Sequence, residues 1–221
     1  MALTNNQTVL DWIDEMAAMT QPEHIVWIDG SDAQMEELRA QACATGELEK
    51  LNQEKPVWVE LGLQTIHEDS ARLIRRGYEL PCFLDALRRL KEAGLTVVVH
   101  VILGLPGETR EDMLETVRFL GRLDNPSIDG IKLQLLHVLK GTELCRLYER
   151  EPFHVMEPEE YFSLIADCIR LLPPHIVIHR ISGDGPKSLL KAPLWSGNKR
   201  FVLNSIAKTL RETGAFQGEW A

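Results

Sequence analysis

Five polar side chains lie within runs of apolar residues that read as strands. Alternation in VWVELGLQT puts Glu60, Gly62 and Gln64 on one side. In TVVVHVILG, His100, Ile102 and Gly104 share a side, and in GIKLQLLHVL so do Lys132, Gln134 and Leu136. A charge in a buried parallel strand is costly unless it is paired or hydrated. If the three sides face a common barrel lumen, Glu60, Gln64, His100, Lys132 and Gln134 form one polar cluster. Two readings stay open: a Glu60–Lys132 ion pair with satisfied neighbours, or a ligand site at the carboxyl ends of parallel strands.

The stretch VHVILGLPGETRED runs from a strand through Gly104-Leu105-Pro106-Gly107 into an acidic helix start. Gly104 and Gly107 leave backbone close to whatever sits above the strand. Glu108, Glu111 and Asp112 oppose a phosphate at that helix start, and the glycines match neither a P-loop nor G-x-G-x-x-G. A neutral nucleoside edge or a cationic ligand fits better. Helix capping by Thr109 to Asp112 is the competing explanation.

These side chains need an α/β scaffold. Strands are expected at 57–65, 96–104, 130–139 and 175–182, with helices at 67–77, 83–93, 109–121, 142–151, 157–172 and 198–214. Continuous Val, Ile and Leu strands separated by helices imply a parallel sheet covered on both faces. Before Pro56 the elements are smaller. A helix capped by Asn5 or Asn6 is followed by a strand at 24–30, a helix opened by Ser31 and Gln34, and a short strand at 47–52.

A net charge of −9 argues against nucleic acid as a partner. Arg72, Arg75, Arg76, Arg88, Arg89 and Lys91 read as solvated helix faces. No apolar run approaches the roughly 20 residues that span a bilayer, and the N-terminus does not read as a signal peptide. A cytoplasmic protein without membrane contact, acting on a small molecule, is the expectation. The four cysteines, Cys43, Cys82, Cys145 and Cys168, form no C-x-x-C or C-x-x-x-C pair and read as reduced, packed thiols.

The segments ELGLQT, HVILGLPGET, GIKLQLLHVLKGTELCRLYE and HIVIHRISGDGPKSLLKAPLWSGNKRFVLNSI together resemble YhcC-like radical SAM proteins. The resemblance implies a partial parallel (β/α) barrel lacking its first strands. It implies S-adenosylmethionine (SAM) as cofactor, with a [4Fe-4S] cluster held by three cysteines. It also places Gly104, Leu105, Pro106, Gly107 and Glu108 near the adenine of SAM. Glu60 and Gln64 would lie on the strand that helps hold the ribose and methionine parts. An acidic lumen would suit the sulfonium and ammonium of SAM. Lys132, Gln134, His137 and the segment 180–186 receive no role, and His137 also reads as a core histidine. The cluster-binding cysteine motif of the family is absent from this sequence, and three thiolates are needed to hold such a cluster.

Residues 1–55 resemble the extreme N-terminus of GTP-dependent phosphoenolpyruvate carboxykinases, through HIVWIDGS and KLNQEK, and bring no functional residue with them. The two resemblances meet at Lys55-Pro56 without a linker. The expectation is a chimera of a small α/β segment, 1–55, and the later part of a radical SAM barrel, 56–221, catalytically inactive alone. An inert SAM- or nucleoside-binding module, or half of a split enzyme completed by a cluster-bearing partner chain, are the alternatives.

Overall fold

The computed structural model describes residues 4–28, 31, 33, 34, 37, 46–183 and 185–221. The chain divides into two compact units, Met1–Glu54 and Lys55–Ala221.

In the first unit, α1 (Gln7–Thr20) starts where the Asn6 side chain accepts from the Thr8 amide at 3.1 Å. Residues 24–28, expected as a strand, have no regular structure, and Ile25, Val26 and Ile28 are exposed. Alternating apolar residues make a strand only when a neighbour takes up their backbone groups, and none does so among the described residues. The strand expected at 47–52 is instead a helix, α2 (Glu47–Glu54). Its Glu, Leu, Lys and Gln content favours a helix, and with no sheet to join, propensity decides. The helix expected after Ser31 lies mostly outside the described residues. The Gln34 amide donates to Ser31 Oγ at 3.3 Å, while Gln34 Nε2 donates to the Trp27 carbonyl at 2.7 Å.

The second unit is built on four parallel strands in the order β1 (Trp58–Gln64), β2 (Thr96–Leu103), β3 (Gly130–Leu135) and β5 (Val177–Arg180). Helices α3 (Glu68–Leu73) and α4 (Leu80–Glu92) separate β1 from β2, and α5 (Arg110–Gly121) separates β2 from β3. A two-residue strand β4 (Val138–Leu139), α6 (Glu143–Arg150) and α7 (Pro158–Leu171) precede β5. The chain ends with β6 (Leu190–Ala192), which pairs antiparallel with β4, then a 3₁₀ turn (Leu194–Gly197) and α8 (Lys199–Thr213). The third expected strand is thus two: β3 stops at Leu135 and the chain leaves the sheet before β4. The β4–β6 ribbon escaped sequence reading because two or three residues carry no periodicity.

One face of the sheet is a packed core. Val97, Val99, Val101 and Leu103 of β2 and Ile131, Leu133 and Leu135 of β3 are buried with Phe83 and Leu87 of α4, Val117 and Leu120 of α5, and Tyr161 and Ile165 of α7. Each such side chain contributes about 1.5–3 kcal/mol of burial. The other face is only partly covered, contrary to the two-sided burial expected. Glu60 is exposed and His100, Lys132 and Gln134 are half-buried. Charged side chains need solvent or partners, which apolar helices do not supply. Across this face the rings of Trp58 on β1 and His179 on β5 lie 6.4 Å apart although two strands stand between them, because both side chains lean inward. Gly130 makes room for this approach, since a Cβ there would lie 2.7 Å from the His179 ring.

The β1–β2 connection turns on consecutive arginines. After α3 the Arg75 amide donates to the Arg72 carbonyl and the Arg76 amide to the Ala71 carbonyl, so the helix ends in a Schellman turn. Arg75 occupies its left-handed position at φ +56°, where glycine is usual. Arg76 then enters the core with its side chain 2% exposed, which corrects the reading of this residue as a solvated face. Its guanidinium donates to both Glu68 oxygens at 3.1 Å and to the carbonyls of Leu63, Thr65 and Tyr78 at 3.2, 2.8 and 2.7 Å. Lys91 is also engaged, bonding both Asp129 oxygens at 2.6 Å.

Removing one partner of a buried ion pair strands the other. Arg76→Met is therefore expected to lower unfolding free energy by about 3–5 kcal/mol in urea denaturation. Arg72→Met, which loses only an exposed pair with Asp69, should stay within about 0.5 kcal/mol. Similar losses for both variants would contradict the keystone role of Arg76.

Candidate functional site

The partly covered face of the sheet brings most of the polar strand residues into one network. Glu60 binds Lys132 through Oε1 and lies 2.7 Å from His100 Nε2 through Oε2. His100 Nδ1 is 2.9 Å from Gln134 Nε2. Register explains the reach: Gly62, His100 and Lys132 are aligned across β1, β2 and β3, and Gly62 contributes no side chain to the row. Glu60, paired with Val98, leans into the space above it. The bond from Lys132, then that to His100, holds the Glu60 carboxyl down at about 2. The ion pair expected as one reading is present. Lys132 matches the Glu60 charge, so the face is not the acidic lumen anticipated.

Gln64 stands apart from this network. The β1–β2 register shifts between Gly62 and Gln64, and Gln64 takes φ +67°. Its amide nitrogen folds over Gly62, where a Cβ would lie 2.8 Å away. The Tyr78 hydroxyl donates to the Gly62 carbonyl.

The Gly104–Glu108 turn lies at the carboxyl end of β2. The Glu108 amide donates to the Leu105 carbonyl at 3.1 Å, closing a β-turn with Pro106 and Gly107 at its centre. Gly104 has φ +91° and Gly107 φ +88°. The space above Gly104 belongs to Met156, whose methyl would lie 2.8 Å from a Cβ there; nothing stands within 4 Å of one at Gly107. Glu108 turns toward Thr65 and Ser70. Burial raises its carboxyl above the usual range, against the opposing pull of those two hydroxyls. Its Oε1 is buried and makes no hydrogen bond among the described residues. Thr109 and Asp112 form a reciprocal capping box on α5, so the acidic helix start serves the helix.

A cavity of about 870 Å³ opens where the strands end. Ile102, Leu105 and Leu136 line it from the sheet. Arg72, Leu73, Ile74 and Arg75 line it from the end of α3, and Glu143, Leu144, Arg146, Leu147 and Arg150 from α6. A second cavity of about 240 Å³ shares Ile102 and Leu136 and adds Gln134, His137 and Arg180. Gly183 and Gly185 lie close against His137: a Cβ at Gly183 would lie 2.5 Å from its ring and one at Gly185 2.8 Å. Of the expected binding residues, Leu105 lines the larger cavity, Glu60 is bound by Lys132 and His100, and Glu108 turns toward Thr65 and Ser70. The arginines were missed. Their helical spacing looks like any solvated face, and only the packing of α3 and α6 reveals their common cavity.

Among the described residues the thiols form no metal centre. Cys82 is exposed on α4, which corrects its reading as packed, whereas Cys145 on α6 and Cys168 on α7 are buried. Burial pushes the Cys168 thiol up to about 12, far from a metal-binding thiolate. Cys43 lies outside the described residues. Among the described residues the one grouping with metal-ligand spacing is His67, Asp112 and Glu115, which contains no cysteine. No helix among them is long and apolar enough to cross a membrane.

The Glu60 network makes a pH prediction. A carboxyl held low stabilises the fold at pH values above its ordinary range, and this contribution disappears as pH falls from about 4.5 towards 2. The stability difference between the native chain and Glu60→Gln should follow that course. Lys132→Met should move the Glu60 titration, read by carboxyl ¹³C NMR, back towards the ordinary range. A midpoint unmoved by that substitution would refute the pairing.

Comparison with known proteins places this geometry. The family model described as the Radical SAM superfamily matches residues 6–120, and that of the Radical_SAM C-terminal domain matches residues 128–212. The uncharacterized protein YtqA of Bacillus subtilis is 41% identical over 173 residues, covering 78% of this chain and 53% of YtqA. Protein YhcC of Escherichia coli is 36% identical over 158 residues, covering 72% of this chain and 50% of YhcC. The chain thus spans about half the length of these curated relatives. Among solved structures, Elp3 of the archaeon Methanocaldococcus infernus superposes with a TM-score of 0.65 at 24% identity, covering 76% of this chain and 39% of that one, a likeness of fold. The parallel sheet agrees with the sequence matches, which show that this chain belongs to the radical SAM superfamily.

Proposed function

We propose that this chain supplies the SAM-holding strand ends of a radical SAM barrel and, by itself, is catalytically silent. The observation that carries the reading is the dispersal of the thiols: three helices hold Cys82, Cys145 and Cys168, and two of these thiols are buried. A [4Fe-4S] cluster needs three convergent thiolates, so the cluster does not fit these residues and no chemical step is derived through it.

SAM, or a nucleoside like it, fits better. The Leu105 turn offers backbone groups, and Ile102 and Leu136 offer apolar contact to a base. The sulfonium finds no net negative charge at Glu60, which Lys132 neutralises, so affinity would come from the nucleoside end. A cluster-bearing partner chain would be needed to restore radical chemistry. We also read residues 1–55 as a segment of separate origin. The boundary between compact units at Glu54 and Lys55 supports this, while the superfamily match runs across it.

Anaerobic reconstitution with iron and sulfide, followed by reductant and SAM, tests the silent half of this reading. The expected result is no cluster absorption and no 5'-deoxyadenosine. Stoichiometric iron–sulfur incorporation with product formation at enzymatic rates would overturn it.

A further inference from the structure

We propose that the arginine-lined cavity between α3 and α6 binds a small organic anion, a phosphate or carboxylate on an apolar body, beside the SAM position. Arg72, Arg75, Arg146 and Arg150 line it with a single carboxylate, Glu143. This is a strong local reversal in a chain of net charge −9. Local concentration of one sign in a cleft draws ligands of the other. Guanidinium groups suit the flat, two-oxygen face that carboxylates and phosphates present. Leu73 at the end of α3 and Leu144 and Leu147 of α6 line the same cavity and give the ligand body an apolar surface.

Two features go beyond a basic surface. Arg75 holds a left-handed backbone at φ +56°, at a helix end where glycine would be unstrained. The strained residue carries its guanidinium to 2.7 Å from Glu143 on α6, across the cavity lining. Arg146 has no ion-pair partner among the described residues. Arg72 and Arg150 pair only with exposed neighbours, Asp69 and Glu151. Exposed pairs are weak and are readily exchanged for a ligand anion. Glu143 is then a built-in competitor for the anion position.

The place of this anion beside SAM rests on the reading under Proposed function; the anion site itself does not. Calorimetric titration with hexyl phosphate, hexanoate, hexanol and inorganic phosphate tests it. Hexyl phosphate or hexanoate should bind saturably, at least about tenfold more tightly than hexanol or inorganic phosphate. The tighter of the two names the anion. Arg146→Ala and Arg75→Gly should each weaken binding about tenfold, and Arg75→Gly should do so with no loss of melting temperature, because it relieves the backbone. Glu143→Gln should tighten binding about threefold by removing the competing carboxylate. Equal affinity for hexanol, indifference to both arginine variants, or displacement of the anion by saturating SAM would overturn the proposal. Arginine-dependent anion binding in a chain that takes up no SAM would sustain this site and refute the SAM reading instead.

Discussion

One carboxylate organises the polar face of the sheet. Glu60 stands on β1, and its partners stand on the next two strands, His100 on β2 and Lys132 on β3. The Lys132 side chain is 14% exposed, so its ammonium depends on Glu60 for a counter-charge. The bridge passes over the row that Gly62 leaves empty and draws Gln134 in through His100. It lets a parallel sheet carry polar residues on one face without either helix cover or unpaired charge. The same pairing neutralises the Glu60 charge within the protein. At the ends of the strands apolar side chains meet arginines around a cavity.

The second constraint is the reversal between neighbouring arginines after α3. Arg76 goes inward and ties the carbonyls of Leu63 and Thr65 to Tyr78 and Glu68, fixing the end of β1. Arg75, one residue earlier, adopts left-handed backbone and points its charge at α6. The inward residue stabilises the fold, and the outward one carries a strain that the turn alone does not require. On the opposite wall, Thr142 caps α6 by accepting from the Cys145 amide at 3.1 Å, which sets the helix that carries Glu143, Arg146 and Arg150.

The strands and long helices of the second unit were legible because each has a regular apolar period and a partner that rewards it. Thr109 and Asp112 cap α5 as their spacing suggested. The Glu60–Lys132 pair was legible because alternation and parallel order leave the two few other places to go. Residues 24–28 and 47–52 misled, since short apolar or mixed runs take their structure from neighbours that local sequence does not name. The burial of Arg76 and the gathering of four arginines at one cavity depend on a left-handed residue at position 75, and no composition rule announces an arginine there. The turn of Glu108 toward Thr65 and Ser70 joins two connections distant in sequence, so local spacing does not announce it.

The radical SAM superfamily fold carries at its strand ends a cavity lined by apolar side chains and arginines, and its described thiols lie on three separate helices. The measurement that tests the account most directly is methyl NMR of the iron-free chain titrated with SAM. The account predicts saturable shifts at Ile102, Leu105 and Leu136, with the methyls of Val97 and Ile131 in the core unmoved. Absence of shifts at saturating SAM, or shifts spread away from the strand ends, would contradict it.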